Sequence, residues 1–187
     1  MVSQVRFTQG SVMDFQLNES INILYSDPPW GDSFLKYFAT ATEKATGIRP
    51  VQPTYQELCN KFSELIQRVT DYVFIEMSVK DTDLMVQAIK KQMPYIGVYP
   101  MQYGNNLNAN LIVGSYKPNL IEIFELEKYK GLPFVKYVLG KVAQPNWTVC
   151  DPCCGAGYTA RATVHHGMNF IGNELNPARL AKAKGYF

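Results

Sequence analysis

Ile21-Asn22-Ile23-Leu24-Tyr25-Ser26-Asp27-Pro28-Pro29-Trp30 is the stretch that decides the fold. The apolar run through Tyr25 reads as a buried strand over residues 21–26. Two consecutive prolines neither continue a central strand nor enter a helix interior. The chain therefore leaves the sheet stiffly here, with an acid just before the stop and an aromatic just after it. Strand tips are where open α/β sheets bind ligands. A carboxylate, a rigid carbonyl pair and an indole face are together what a flat ring with an exocyclic amine requires.

A second strand tip carries a different signature. Residues 148–152 read as a strand and run into Asp151-Pro152-Cys153-Cys154-Gly155-Ala156-Gly157-Tyr158-Thr159-Ala160. Glycines between a strand and a helix let a ligand approach the backbone and the helix N-terminus. A helix to His166, Gly167 and a strand ending in Glu174 follow. An acid at that tip is positioned to accept the two hydroxyls of a ribose. Gly155-x-Gly157-x-x-Ala160 also fits the loose dinucleotide fingerprint. A nicotinamide-dependent enzyme, however, would need a substrate half and would leave the first motif unexplained.

The other elements follow from periodicity. Residues 4–8 read as a strand, followed by a connector from Gly10 through Asp14. Residues 31–53, with Gly31, Gly47, Pro50 and Pro53, read as a long mobile loop in contact with substrate. Its cations Lys36, Lys44 and Arg49 nearly cancel against Asp32 and Glu43, a poor phosphate clamp. Thr54-Tyr-Gln-Glu57 is a capping box, and Leu58, Phe62, Leu65, Ile66 and Val69 form the apolar face of the helix it opens. Residues 72–79 read as a strand and Asp81–Gln92 as a helix with Leu84, Met85, Ala88 and Ile89 inward. Residues 95–103 and 110–117 read as a hairpin about an Asn-rich turn, and Pro100 puts the first arm at a sheet edge. Ile121–Leu126 reads as a short strand or an extended connector, and Phe134–Val142 as a helix burying Val135, Val138, Leu139 and Val142.

The bulk numbers set limits. A chain of 187 residues, 47% hydrophobic and 18% charged, is one globular domain spanning 1–187. A net charge of +2 neither demands nor excludes nucleic acid. Without a membrane-length apolar run or a secretory signal, the expected location is the cytoplasm, with no membrane partner. Cys150-x-x-Cys153 has metal or redox spacing, but its candidate partners are poorly placed: His165 and His166 end a predicted helix and Cys59 lies on the apolar side of another. Free thiols in a reducing compartment are the expectation, with no metal.

With both strand tips in view, the chain resembles the S-adenosylmethionine-dependent amino-methyltransferases that methylate exocyclic amines of nucleic-acid bases. Their catalytic motif, Asp/Asn/Ser-Pro-Pro-aromatic, is matched by Asp27-Pro28-Pro29-Trp30. Their cofactor motif, near Asp-Pro-Phe-x-Gly-x-Gly-Thr, is matched by Asp151 to Gly157, and the following Gly-x-Glu-x-x-Pro by Gly172-Asn173-Glu174-Leu175-Asn176-Pro177. Catalytic before cofactor motif is the circularly permuted order of the beta group of bacterial and phage DNA methyltransferases. The resemblance implies a Rossmann-like α/β fold with a mostly parallel seven-stranded sheet and one antiparallel strand from the hairpin. Strands 21–26 and 148–152 would be neighbours at its centre, with 169–174 and the N-terminal strand on one side and 72–79 and the hairpin on the other.

The resemblance also implies roles. Asp27 and the Pro28 carbonyl would accept hydrogen bonds from the target amine, with Pro29 stiffening the turn and Trp30 stacking on a base flipped from its duplex. Asp151, Pro152, Cys153, Gly155 and Gly157 would line the methionine end of S-adenosylmethionine, and Glu174 would take its ribose. Cys153 replaces the family's Phe. Gly10-Ser11 replaces a common Gly-Asp beside the adenine, which leaves Ser11 there and Asp14 as a substitute or a solvent-exposed acid. Leu132-Pro133 replaces Lys-Pro. Residues 118–133 leave no room for the usual target-recognition region, so a separate specificity subunit or a homodimer is a candidate partner. The implied activity is adenine-N6 methylation of DNA. RNA adenine-N6 methylation, DNA cytosine-N4 methylation and a non-catalytic binding subunit are the alternatives. Lys128, Lys130, Lys136 and Lys141 are candidates for a basic stripe or a solvated face.

Overall fold

The computed structural model describes residues 3–105, 107–118, 121, 123 and 125–187. Seven strands form one sheet: β1 (Val5–Gln9), β2 (Ile21–Ser26), β3 (Val69–Ser78), β4 (Tyr95–Tyr103), β5 (Leu107–Ser115), β6 (Thr148–Asp151) and β7 (Asn169–Glu174). Their order is β1-β7-β6-β2-β3-β5-β4. All neighbours are parallel except β5, which runs antiparallel to both β3 and β4. This is the expected mostly parallel sheet with one reversed strand, and β6 and β2 are the expected central pair. Ile23, Leu24 and Tyr25 of β2 are fully buried, as a strand covered on both faces requires.

The helices are α1 (Gly31–Thr46), α2 (Tyr55–Ile66), α3 (Thr82–Lys90), α4 (Leu132–Gly140), α5 (Tyr158–His165) and α6 (Pro177–Lys184). They form two groups: α6, α1, α2 and α3 touch in succession, and α4 packs on α5. The capping box forms as read, with Thr54 Oγ1 accepting from the Glu57 N–H at 3.2 Å and Glu57 Oε2 from the Thr54 N–H at 2.7 Å.

The largest correction concerns residues 31–53, where α1 replaces most of the expected loop. Its inward positions are Gly31, Leu35, Ala39 and Thr42, small or part-polar, while Phe34 and Tyr37 face outward. The helical stripe is therefore present but has little apolar contrast. Gly47, at φ +75°, ends the helix, its N–H donating to the Glu43 carbonyl. Smaller corrections follow. Val69 opens β3 rather than closing the face of α2, Leu84 of α3 is exposed, and Val142 lies past α4 and is only half-buried. The second hairpin arm starts at Leu107, three residues earlier than read, because the Asn-rich segment pairs as strand. β4 is the sheet edge, and Pro100 on it costs no ladder bond to a further strand. Of Ile121–Leu126, residues 122 and 124 lie outside the described residues, and Leu126 opens a short 3-10 turn, Leu126–Lys128. No helix among the described residues is long and apolar enough to cross a membrane.

Because β2, β3, β6 and β7 are parallel, their C-terminal ends share one sheet edge. Asp27, Glu76, Asp151 and Glu174 all sit at that edge. β4 runs in the same sense, so the β4–β5 turn arrives there too and brings Tyr103 with it.

Candidate active site

Three carboxyls crowd the centre of this edge. Asp151 is buried beneath three donors: Ser26 Oγ at 2.9 Å and the Cys153 N–H at 3.0 Å to Oδ1, and Thr159 Oγ1 at 2.6 Å to Oδ2. It therefore ties the tip of β2 to the loop after β6. Burial pushes it up to about 7, against the pull of those donors. Asp27 receives the Trp30 indole N–H on Oδ1 at 3.1 Å and the Tyr103 hydroxyl on Oδ2 at 2.5 Å. Burial raises it to about 6, opposed by Tyr103, Trp30 and the charge of Arg179. The same indole N–H reaches the Glu76 carbonyl at 3.2 Å. Glu76 Oε1 accepts from the Tyr25 hydroxyl at 2.7 Å, and burial, then the Asp27 charge, drive its carboxyl well above the usual range.

The second tip is built from backbone. Glu174 Oε2 accepts from the Gly155 N–H at 2.8 Å and Oε1 from the Asn176 N–H at 2.8 Å. Gly155 sits at φ +53°, a conformation that turns its N–H toward the carboxylate. Asn173 braces both neighbouring loops, its amide donating to the Gly10 carbonyl at 3.0 Å and the Pro152 carbonyl at 3.3 Å.

Two cavities open along the edge. The first is lined by Gly10, Ser11, Val12, Pro29, Pro53 and Glu174 among others. The second, about 460 Å³, is lined by Pro28, Trp30, Glu76, Tyr103, Phe134 and Gly155 among others. Asp27, Phe38, Cys153 and Arg179 border both. The Arg179 guanidinium lies 5.0 Å over the Phe38 ring. The two cavities meet at Asp27: the one bordered by Glu174 holds about 80 Å³, room for part of an elongated molecule, and the second is wide enough for a flat ring.

Most residues nominated from sequence meet here. Pro29, Ser11, Pro152, Cys153 and Glu174 border the first cavity; Asp27, Pro28, Trp30, Asp151, Cys153 and Gly155 border the second. Trp30 is largely buried, its ring edge-on to Tyr103 with centroids 4.6 Å apart. Gly157 borders neither cavity and instead opens α5 against Ala183. Asp14 is exposed and lines neither. Of the lysines, Lys130 borders the second cavity, Lys128 pairs with Glu125, and Lys141 lies 4.9 Å over the Tyr137 ring. Sequence reasoning missed Glu76, Tyr103, Phe38 and Arg179. The available signal for Glu76 was a lone acid inside the apolar run Val73-Phe-Ile-Glu-Met77. Nothing local marked Tyr103, whose place depends on the hairpin's reach. Among the described residues no group of three or more His, Cys, Asp or Glu side chains is arranged to hold a metal ion.

No protein-family model matches the sequence, and neither does any curated protein. Among solved structures, the chain is similar to M1.HpyAVI in its SAM complex, with a TM-score of 0.68 and 16% identity, covering 97% of this chain and 98% of that one. It is similar to TTHA0409 of Thermus thermophilus, assigned as a DNA modification methylase and complexed with S-adenosyl-L-methionine, with a TM-score of 0.62 and 13% identity over 97% and 92%. It is also similar to PvuII DNA methyltransferase (cytosine-N4-specific), with a TM-score of 0.62 and 9% identity over 100% and 87%. At these identities the likeness is one of fold, and the fold is the Rossmann-like one these proteins share.

Proposed function

We propose that the chain is an S-adenosylmethionine-dependent methyltransferase acting on the exocyclic N6 amine of adenine in DNA. The observation that carries this reading is the junction at Asp27, where a cavity bordered by Glu174 meets one bordered by Trp30 and Tyr103. Similarity of fold to proteins solved with S-adenosylmethionine supports the cofactor. The donor set agrees with it. Glu174 supplies a fixed carboxylate for a ribose, Val12, Pro29 and Leu35 supply apolar walls, and Pro152 and Cys153 border the same cavity. Adenine is the base that the sequence resemblance implies.

When bound, S-adenosylmethionine supplies an electrophilic methyl group. The work of the chain's own residues is positional and electrostatic. Ionised Asp27 and the Pro28 carbonyl accept from the two amine hydrogens and so turn the nitrogen lone pair towards the first cavity. Pro28-Pro29 fixes that geometry because neither residue has a free φ. Trp30 and Tyr103 wall the base. Target recognition falls to a partner, either a specificity subunit or a second copy of the chain.

The test is expression in a methylation-deficient host followed by nucleoside mass spectrometry of DNA and RNA. N6-methyladenine is expected in DNA, with a loss of at least about 100-fold in Asp27→Ala. N4-methylcytosine instead would overturn the choice of base. Methyl groups in RNA alone would overturn the choice of polymer, and no modified base in either pool would overturn the enzyme.

A further inference from the structure

Glu76 is a second carboxyl beside Asp27 that the methyl-transfer reading leaves idle. It sits one position past the β2–β3 register pair Ser26–Ile75, so the tips of adjacent parallel strands set the two acids side by side. It is 6% exposed and borders the second cavity together with Asp27, Trp30 and Tyr103. The Tyr25 hydroxyl, itself fully buried, holds Oε1 at 2.7 Å. We propose that Glu76 determines base specificity, its carboxyl donating a hydrogen bond to the ring nitrogen next to the amine that Asp27 receives.

The chemistry follows from the edge being read. In adenine and cytosine the carbon bearing the amine is flanked by an unprotonated ring nitrogen, an acceptor. In guanine and thymine the corresponding Watson–Crick ring nitrogen (N1 and N3) carries a hydrogen, and the carbon beside it (C6 and C4) bears a carbonyl in place of the amine. A site that accepts from the amine and donates to its neighbour takes the first pair and rejects the second. An ionised carboxylate has nothing to donate, whereas a neutral acid has one O–H. Burial and the adjacent Asp27 charge both favour the acid form of Glu76. With Tyr25 donating to Oε1, the other oxygen is the one that would carry the proton towards the second cavity.

This role rests on Asp27 being the amine acceptor, and the experiment separates the two. Duplexes carrying the site that the wild-type protein marks in host DNA are made with adenine or with 1-deazaadenine, in which N1 is C–H. The wild type is expected to bind the 1-deazaadenine duplex about 10–100-fold more weakly and to methylate it correspondingly more slowly. The preference should persist in Glu76→Gln, whose amide still donates, and fall to near unity in Glu76→Leu. Since removing N1 also changes the reactivity of the amine, the comparison between variants is the decisive reading of rate. Equal wild-type affinity for the two duplexes overturns the role of Glu76, as does an undiminished preference in Glu76→Leu. Should the leucine variant fail to fold, loss of the preference in Glu76→Gln would overturn it. A wild type that marks neither DNA nor RNA overturns the methyltransferase reading instead.

Discussion

The Tyr103 hydroxyl donates to Asp27 Oδ2 at 2.5 Å, joining the β4–β5 hairpin to the tip of β2. On the proposed reading Asp27 accepts from the target amine, most strongly when ionised, and burial holds it near 6, with Tyr103 the foremost opposing influence. Removing that donor raises the Asp27 pKa further. In Tyr103→Phe the acid limb of kcat/KM against pH is therefore expected to move upward by about 1–2 pH units, a hydrogen bond to a charge being worth roughly 1.5–3 kcal/mol. The pH profiles of wild type and variant check this. An unmoved limb would separate Tyr103 from the chemistry.

Glu174 does two jobs with one carboxylate. Both oxygens accept backbone N–H groups, from Gly155 and Asn176, and on the proposed reading they also take the ribose. Glu174→Gln turns one oxygen into an NH2 group facing an N–H donor. Calorimetric titration with S-adenosylmethionine is expected to show about 10–100-fold weaker binding, roughly 1.4–2.8 kcal/mol. Binding at wild-type strength would place the cofactor elsewhere.

The central elements were legible because they carry contrast. β2 is an apolar run stopped by two prolines, β7 ends in an acid, and α2 opens with a capping box. The sheet order followed once the two motifs were recognised together. Helix α1 was not legible: its buried positions are Gly31, Leu35, Ala39 and Thr42, while Phe34 and Tyr37 point away. The site divides in the same way. Asp27 and Glu174 announce themselves at strand tips, but Glu76 and Tyr103 belong to the site only through pairing. Glu76 depends on the β2–β3 register, and Tyr103 on the hairpin turning at the edge where Asp27 lies. No local pattern encodes a partner 76 residues away in the chain.

Gly157 is fixed by sterics. It stands at φ +88°, and a Cβ there would lie 3.0 Å from the Ala183 Cβ and 3.1 Å from its Cα. Gly157→Ala combines left-handed strain with overlap against α6, an expected loss of about 2–4 kcal/mol. Gly167, at φ +69° with nothing within 4 Å, isolates the conformational part. Gly167→Ala is expected to cost about 1 kcal/mol. Urea denaturation of both variants measures the difference, and equal losses would remove the Gly157–Ala183 contact from the account.

The buried acids also set how stability varies with pH. A carboxyl whose folded pKa exceeds its unfolded value binds its proton more tightly in the native state. Its stabilising contribution is therefore full below the unfolded pKa and is lost as pH rises through the folded one. Asp27, raised from 3.8 to about 6, and Asp151, raised from 3.8 to about 7, both act in this sense, and Glu76 acts with them. For Asp151 alone the rise corresponds to about 4 kcal/mol lost once it is ionised. Exposed His165, lowered chiefly by the charge of Lys136, works the other way, but an exposed pair in water contributes little. The wild type should therefore resist urea better at pH 5 than at pH 8. Asp151→Asn keeps an oxygen for Ser26 and the Cys153 N–H, and its amide donates to Thr159 Oγ1 if that hydroxyl turns to accept. This variant no longer ionises, so the gap between its midpoints at the two pH values should narrow. A wild type more stable at pH 8, or a gap that Asp151→Asn leaves untouched, would mean that the three acids share their protons differently from the arrangement described.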